Sequence, residues 1–338
     1  MAIFMIGTQR SGSNLLRLML DQIPGVVAPH PPHILERMMP LIGQYGDLDE
    51  QKNFRQLVRD VCQLVELNPV PWTGVKLNPE YIIEQCQTQT ILGVFEAIYD
   101  TVANSSGATT WCCKSLANVQ YLNEIESYFD RPKYIYIYRD GRDVAVSFRK
   151  AIVGEKHFYH IAEEWAESQR LALEHGRKIG KKRFFHMCYE DLINNPRDSM
   201  QNLCKFLGFP YTEAMLEFHQ SGDAKQAASA SKLWANVDKP IQSGNSGKFI
   251  SEARREDIRI FESIAGDVLD KLGYKRHIIE PGCELKFSRH IINIFDTENK
   301  QLKMAIRHAT DLQDLQRRDR QHNFIQWVSS RLQAINGH

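Results

Sequence analysis

The sequence predicts an α/β protein, a parallel β-sheet flanked by helices, followed by a helical C-terminal extension. Three observations carry this reading. The chain opens on a short apolar run, AIFMI (2–6), which passes through a glycine-rich loop into a helical pattern. The segment KYIYIY (133–138) is aromatic and β-branched throughout, the strongest strand signal in the chain. Strand-like and helix-like segments alternate up to residue 207, which calls for parallel strands joined by crossover helices.

Taken in order, the apolar run 2–6 ends at Gly7 and suits a buried parallel strand. Residues 13–22 place Leu15, Leu16, Leu18, Met19 and Leu20 in a helix that Pro24-Gly25 stops. Residues 26–48 are proline-rich and then apolar without a clear period. From Asp49, the spacing Phe54, Leu57, Val58, Val61, Leu64, Val65 marks an amphipathic helix, and 79–104 repeats that pattern. A strand at 109–114 (TTWCCK), a helix at 119–129, helices at 141–151 and 157–178, a strand within 182–192 and a helix at 197–207 follow. Residues 220–250 are rich in Ser, Ala, Gly, Lys and Asn and read as a long polar loop, and helix returns at 252–272 before Gly273. The tail 296–335 has helical spacing interrupted by the polar stretch RRDRQHN.

Composition excludes several classes. The chain has 338 residues with 42 Lys plus Arg against 41 Asp plus Glu, so no global field is present to hold nucleic acid, and an anion site must be local. No apolar run approaches the roughly 18–20 residues of a membrane span, and the N-terminus lacks the basic start and cleavage site of a signal peptide. Seven cysteines without metal-type or CxxC spacing read as a reduced, cytoplasmic enzyme with no metal site.

The loop Gly7-Thr8-Gln9-Arg10-Ser11-Gly12-Ser13-Asn14 sits between a strand and a helix, where backbone N–H groups and the helix N-terminus favour an anion. Its glycine spacing matches the first half of the triphosphatase motif GxxxxGK[ST]. The second half fails, since Ser13 stands in place of the phosphate-reaching lysine and Asn14 in place of the Mg²⁺-binding hydroxyl. A cation, Arg10, appears inside the loop instead. Such a loop keeps the cradle for a nucleotide 5′-phosphate without being built for γ-phosphate transfer. The strand KYIYIY ends in Arg139, at the carboxyl edge where parallel sheets bind ligands, and Ser147 follows about two helical turns into the next helix.

Together, GTQRSGSNLL and YIYRDGRDVAVSF resemble the two nucleotide-binding motifs of the sulfotransferases that use 3′-phosphoadenosine-5′-phosphosulfate (PAPS). Segments 189–209 and 247–274 are similar to later helices of that family, and the motifs resemble the tyrosylprotein and bacterial branch more than the cytosolic animal enzymes. The resemblance implies a P-loop NTPase-like sulfotransferase fold over residues 1–280, with 281–338 as the helical extension. It implies that Thr8, Gln9, Arg10, Ser11, Gly12, Ser13 and Asn14 bind the 5′-phosphosulfate end of PAPS. By the same likeness Arg139 and Ser147 bind the 3′-phosphate, and Arg10 steadies the bridging oxygen without a metal.

The resemblance also locates departures. Cytosolic members place a histidine two residues after a lysine at the end of an early strand; Lys114 fits the lysine, but Leu116 stands at the histidine position. Other branches draw a base from the loop after the first helix, which here reads VAPHPPHILE (27–36) and offers His33, Glu36 and His30, ranked in that order. Lys114 is expected as an additional charge-stabilising group. The 3′-phosphate clamp of the cytosolic enzymes is replaced by Gln242-Ser243-Gly244, leaving Lys248 as the nearest cation. Trp111 and Trp165 invite a base-stacking role, although a buried core Trp is the commoner outcome.

The expected function is sulfuryl transfer from PAPS to a hydroxyl or amine. The alternatives are a P-loop kinase or triphosphatase, which would need Mg²⁺, and a non-catalytic nucleotide-binding scaffold. Segments 37–80 and 220–245 are the expected acceptor-lining and lid regions, open to a small-molecule, lipid or carbohydrate acceptor. The tail is expected either to pack across the domain or to pair two copies as a homodimer through the C-terminal helix.

Overall fold

Five parallel strands form one sheet in the order β2-β3-β1-β4-β5, in a computed structural model that describes residues 1–336. They are β1 (Ala2–Gly7), β2 (Val26–Val27), β3 (Thr110–Cys113), β4 (Lys133–Tyr138) and β5 (Phe184–Cys188). The last two residues of the segment 281–338 lie outside the described residues. Because β1 is the first strand and sits in the middle, the chain leaves it toward β2 and β3 on one side and β4 and β5 on the other. The crevice beyond the carboxyl ends of β1 and β4 is therefore the topological switch point.

Both faces of the sheet are covered. Phe4 and Ile6 of β1 join Trp111, Tyr134 and Tyr136 in a core with the helices Gln51–Glu66 and Ile91–Ser105. Ile3 and Met5 face the opposite core, with Leu16, Leu20, Ile135, Ile137 and Leu203. Burial on both faces explains why these strands read as continuous apolar runs rather than alternating ones. A third cluster joins Val144, Trp165, Phe261 and Leu269 on the helices Gly141–Lys150, Phe158–Ile179 and Arg255–Lys271.

An ion network ties this third cluster to the end of β4. Glu262, 0 % exposed, accepts from the backbone N–H of His277, Ile278 and Ile279 at 2.8, 2.8 and 2.9 Å, and from Arg142 Nη1 at 2.6 Å. Arg142 in turn donates to both carboxylate oxygens of Asp140, the residue after Arg139. Burial alone would raise the Glu262 carboxyl, but the three backbone donors and Arg142 hold it below the usual range. Glu262→Ala leaves Arg142 Nη1 and three backbone N–H groups without their acceptor, although Arg142 keeps Asp140, so a loss of about 3–5 kcal/mol is expected in chemical denaturation. A loss under about 1 kcal/mol would show the network to be dispensable.

The described elements depart from the sequence reading in four places. A two-residue strand, β2, lies in the proline-rich segment and is too short to show a period. The pattern at 79–104 is two helices, Pro79–Gln85 and Ile91–Ser105, because Cys86 turns extended and the Thr90 hydroxyl caps Gly93 N at 3.1 Å. The polar stretch at 220–250 contains a helix, Gly222–Ala230, capped by Ser221, and a tight turn, Lys232–Trp234. Its alanines sustain the helix although its composition resembles a loop. The tail is two long helices, Arg289–Ala309 and Leu312–Asn336, and the stretch RRDRQHN is helical.

The second tail helix lies against the body of the same chain. Phe324, Val328 and Leu332 enter the core that contains Phe4, Gln321 Nε2 donates to Leu64 O at 2.9 Å, and Arg331 pairs with Asp60. No helix among the described residues is long and apolar enough to cross a membrane.

Candidate active site

The loop after β1 is held in an unusual backbone shape by its sequence. Gly7 has φ 135° and runs so close to β4 that a Cβ there would lie 2.2 Å from Ile137 O. Gly12 has φ 84°, and its Cβ would lie 2.3 Å from the Tyr189 ring. Arg10 adopts a positive φ of 70°, a conformation that a non-glycine residue takes only when its surroundings impose it.

Two of the loop's own side chains turn into the protein. Thr8 Oγ1 accepts from Gln169 Nε2 at 2.6 Å, and Gln169 Oε1 accepts in turn from Tyr136 OH, so the loop is anchored to the sheet and to the long helix Phe158–Ile179. Ser11 Oγ is buried with no hydrogen-bond partner among the described residues. Neither Thr8 nor Ser11 lines the cavity beside the loop. That cavity, about 640 Å³, is walled by the other five expected donor-binding positions of the loop: Gln9, Arg10, Gly12, Ser13 and Asn14.

The two motifs interlock around Arg10. Arg10 Nε donates to Ser147 Oγ at 3.0 Å, and Arg139 Nη1 donates to Arg10 O at 3.2 Å. Arg139 Nη2 also donates to Asn245 O at 2.8 Å and lies 3.4 Å from Asp143 Oδ2, while its guanidinium stacks 4.5 Å from the Tyr189 ring centroid. Its Nε is buried without a partner among the described residues. Asp143 accepts from Gly247 N at 2.7 Å and Phe249 N at 2.9 Å, so one carboxylate fixes both Arg139 and the 245–249 turn. Lys248, in that turn, is exposed at the cavity rim. Burial, then the charges of Arg139 and Arg318, lower the Arg10 guanidinium to about 10, and no carboxylate pairs with it among the described residues. A half-buried guanidinium with no counter-charge among the described residues makes this end of the cavity electropositive.

Lys114 supplies the cation that the loop lacks at residue 13. Projecting from the end of β3, its Nζ donates to Asn14 Oδ1 at 2.8 Å. Burial, followed by the charges of Arg17 and Arg10, lowers it to about 7. Arg17 itself donates to Ala28 O at 2.6 Å and holds the start of the loop that carries the three base candidates onto the first helix.

All three base candidates stand on one wall of the cavity. His33 caps the short helix Ile34–Met38 with φ 59°, and its Nδ1 lies 2.8 Å from Glu36 Oε2. Burial works to raise the Glu36 carboxyl, but contact with His33 and the nearby Arg37 hold it below the usual value, so it is an ionised partner for the imidazole. His30 is buried with both ring nitrogens unpartnered among the described residues. Burial and the surrounding cations, Lys114 first, push it well below the ordinary histidine value and keep it neutral. Its carbonyl is gripped by Asn68 Nδ2 at 2.9 Å and Trp72 Nε1 at 2.6 Å.

Several site residues were not visible in the sequence. Tyr189 opens the segment 189–209, but nothing there signals that its ring floors Gly12 and stacks on Arg139. Trp234, not Trp111 or Trp165, is the tryptophan at the cavity; the other two are core residues. Arg318 and Asp314 reach the cavity from the tail.

The family model described as "Sulfotransferase family" matches residues 2–213. The protein-tyrosine sulfotransferase of Drosophila melanogaster is 23% identical over 288 residues, covering 82% of this chain and 52% of that protein. Protein-tyrosine sulfotransferase A of Caenorhabditis elegans is 23% identical over 281 residues, covering 80% and 67%. The chain thus spans about half the length of the fly relative. Among solved structures, the sulfotransferase domain of the Synechococcus PCC 7002 olefin synthase is similar with a TM-score of 0.54 and 24% identity, over 78% of this chain and 94% of that one. The sulfotransferase domain from the curacin biosynthetic pathway gives 0.56 and 20%, over 82% and 98%. These two share the fold.

Proposed function

The chain belongs to the sulfotransferase family, and we propose that it moves a sulfuryl group from PAPS to a hydroxyl or amine of an acceptor. The observation that carries this reading is the interlocked pair of cations, Arg10 on Ser147 and buried Arg139 on the Arg10 carbonyl, at the switch point of the sheet. A P-loop kinase is disfavoured by Ser13 and Asn14, since Asn14 is committed to Lys114 rather than placed to hold Mg²⁺.

The residues fit PAPS. Arg139, at the cavity, has an orphaned buried Nε, and the glycines let the backbone come close to a phosphate. When bound, PAPS supplies an activated sulfuryl group whose bond to the 5′-phosphate oxygen breaks as the bond to the acceptor forms. Arg10, the loop N–H groups and Lys114 stabilise charge on the departing phosphate oxygen. Arg139 and Ser147 hold the 3′-phosphate, with Lys248 at the rim. His33, oriented by Glu36, takes the acceptor's proton, and His30 and Glu36 are the alternative bases. The acceptor is a small molecule, lipid or carbohydrate entering beside Arg37 and the 231–242 segment. All seven cysteines are free thiols, which supports a reducing, cytoplasmic setting.

Calorimetric titration with 3′-phosphoadenosine-5′-phosphate (PAP), against ATP plus Mg²⁺, tests the donor. The expected result is metal-independent binding of PAP in preference to ATP; the reverse preference overturns the reading. The same titration carries a proton signature. A phosphate beside Lys114 raises its pKa from about 7, so at pH 8 binding takes up a proton that the free protein lacks. Buffers of different ionisation enthalpy should report that uptake, and Lys114→Met should abolish it.

A further inference from the structure

We infer that the C-terminal helix supplies a positioning pair, Asp314 and Arg318, that sets Arg10 through the turn Ser231–Trp234. The inference rests on the donor-binding role proposed for Arg10. It concerns residues beyond the 2–213 matched by the family model.

Ser231 is the centre of the latch. It is 4 % exposed, and Asp314 is 6 % exposed. Ser231 Oγ donates to Asp314 Oδ2 and accepts from Leu233 N at 3.1 Å and from Arg318 Nη2 at 3.1 Å. One donor and two acceptor sites exhaust a hydroxyl, so Ser231 has no capacity for a partner outside the latch. Arg318 Nε donates to Asp314 Oδ1 at 2.7 Å, its guanidinium lies 5.2 Å from the Trp234 ring centroid, and Arg317 Nη1 donates to Ala230 O at 2.8 Å. The tail therefore grips residues 230, 231 and 234 with three side chains.

The other side of the same turn meets the site. Leu233 O accepts from Arg10 Nη1 at 3.5 Å, and Trp234 packs edge-on to His30 with centroids 4.7 Å apart. Ser147 and Leu233 are the side-chain partners of Arg10, and only Ser147 belongs to the two recognised motifs. Asp314 also neutralises Arg318, whose charge bears on Arg10. The latch is not needed to dock the helix. Phe324, Val328 and Leu332 in the core, Gln321 on Leu64 and Arg331 on Asp60 do that further along. A polar cluster centred on buried Ser231 and Asp314, at the cavity end of a helix already anchored elsewhere, serves the turn it grips.

The test is a double-mutant cycle read by PAP binding, which needs no acceptor. Asp314→Ala should weaken PAP about tenfold in the wild-type background and less than about twofold in Arg10→Ala, because the first effect passes through Arg10. Ser231→Ala should show the same non-additivity. Arg331→Ala, which breaks the helix's anchor on Asp60, should lower the melting temperature while leaving PAP affinity within about twofold. Equal weakening in both backgrounds, or none in a folded Asp314→Ala or Ser231→Ala protein, overturns the inference. Loss of the melting transition in both variants also overturns it, since the latch is then a stability element. If wild type fails to bind PAP, the donor reading falls and this inference with it; if wild type binds and the cycle is additive, only this inference fails.

Discussion

Arg10→Ala lowers sulfuryl transfer by about 10²–10³-fold while the melting temperature holds or rises. The two halves of this expectation come from the same environment. Arg10 is half-buried, its guanidinium has only neutral oxygens as partners among the described residues, Ser147 Oγ and Leu233 O, and it faces the like charges of Arg139 and Arg318. In the free protein such a cation stabilises little, because partial burial has removed part of its hydration without giving it a counter-charge. On the proposed reaction its value appears only when charge develops on a phosphate oxygen, which is what a transition-state contact requires. The variant should bind PAP about tenfold more weakly and lose far more in rate, since the leaving oxygen gains charge as the sulfuryl group departs. A fall of several degrees in melting temperature with transfer preserved would make Arg10 a structural residue. Arg10→Lys is the sharper companion. It keeps the charge but loses the fork that reaches Ser147 and Leu233 at once, so it should recover only part of the rate.

Local signals carried much of this site, and their reach explains where they stopped. Gly7 and Gly12 were legible because a strand, a glycine loop and a helix lie within twenty residues of one another. The loop geometry needs both glycines, one against Ile137 O and one against the Tyr189 ring. Arg139 was legible because KYIYIY fixes a strand whose carboxyl end must carry it. Lys114 and the loop 30–36 followed from the family resemblance. The wall that closes the site was not legible, because its contacts span the chain. Arg10 meets Leu233, Arg139 meets Asn245, and Ser231 meets Asp314 across 223, 106 and 83 residues. The helix Gly222–Ala230 was hidden for a different reason. Its residues are small and polar enough to read as a loop, and its register is set by Ser221 and by burial of Ala224 and Ala227 rather than by an apolar stripe. The tryptophans show the same limit: all three are buried, and only their place in the fold separates Trp111 and Trp165 in the core from Trp234 at the cavity.

Arg139→Met collapses the preference for a 3′-phosphate. On the reading that Arg139 and Ser147 meet that group, wild type should bind PAP about 10–100-fold more tightly than 5′-AMP, the range expected for charge-assisted hydrogen bonds to a guanidinium. In Arg139→Met the two affinities should converge to within about threefold, because the discriminating cation is gone while the 5′-phosphate loop remains. The fold should tolerate the change. Asp143, which loses the guanidinium, keeps Gly247 N at 2.7 Å and Phe249 N at 2.9 Å, so its carboxylate is not left bare. The side chain that replaces the guanidinium can still cover the Tyr189 ring, on which Arg139 now stacks. Ser147→Ala separates this role from simple damage to the site. It removes a hydroxyl from the 3′-phosphate and also frees Arg10 Nε, so it should weaken both ligands and narrow the ratio only in part. A ratio unchanged in Arg139→Met would move the 3′-phosphate away from the end of β4 and leave Lys248, at the cavity rim, as the cation to replace next.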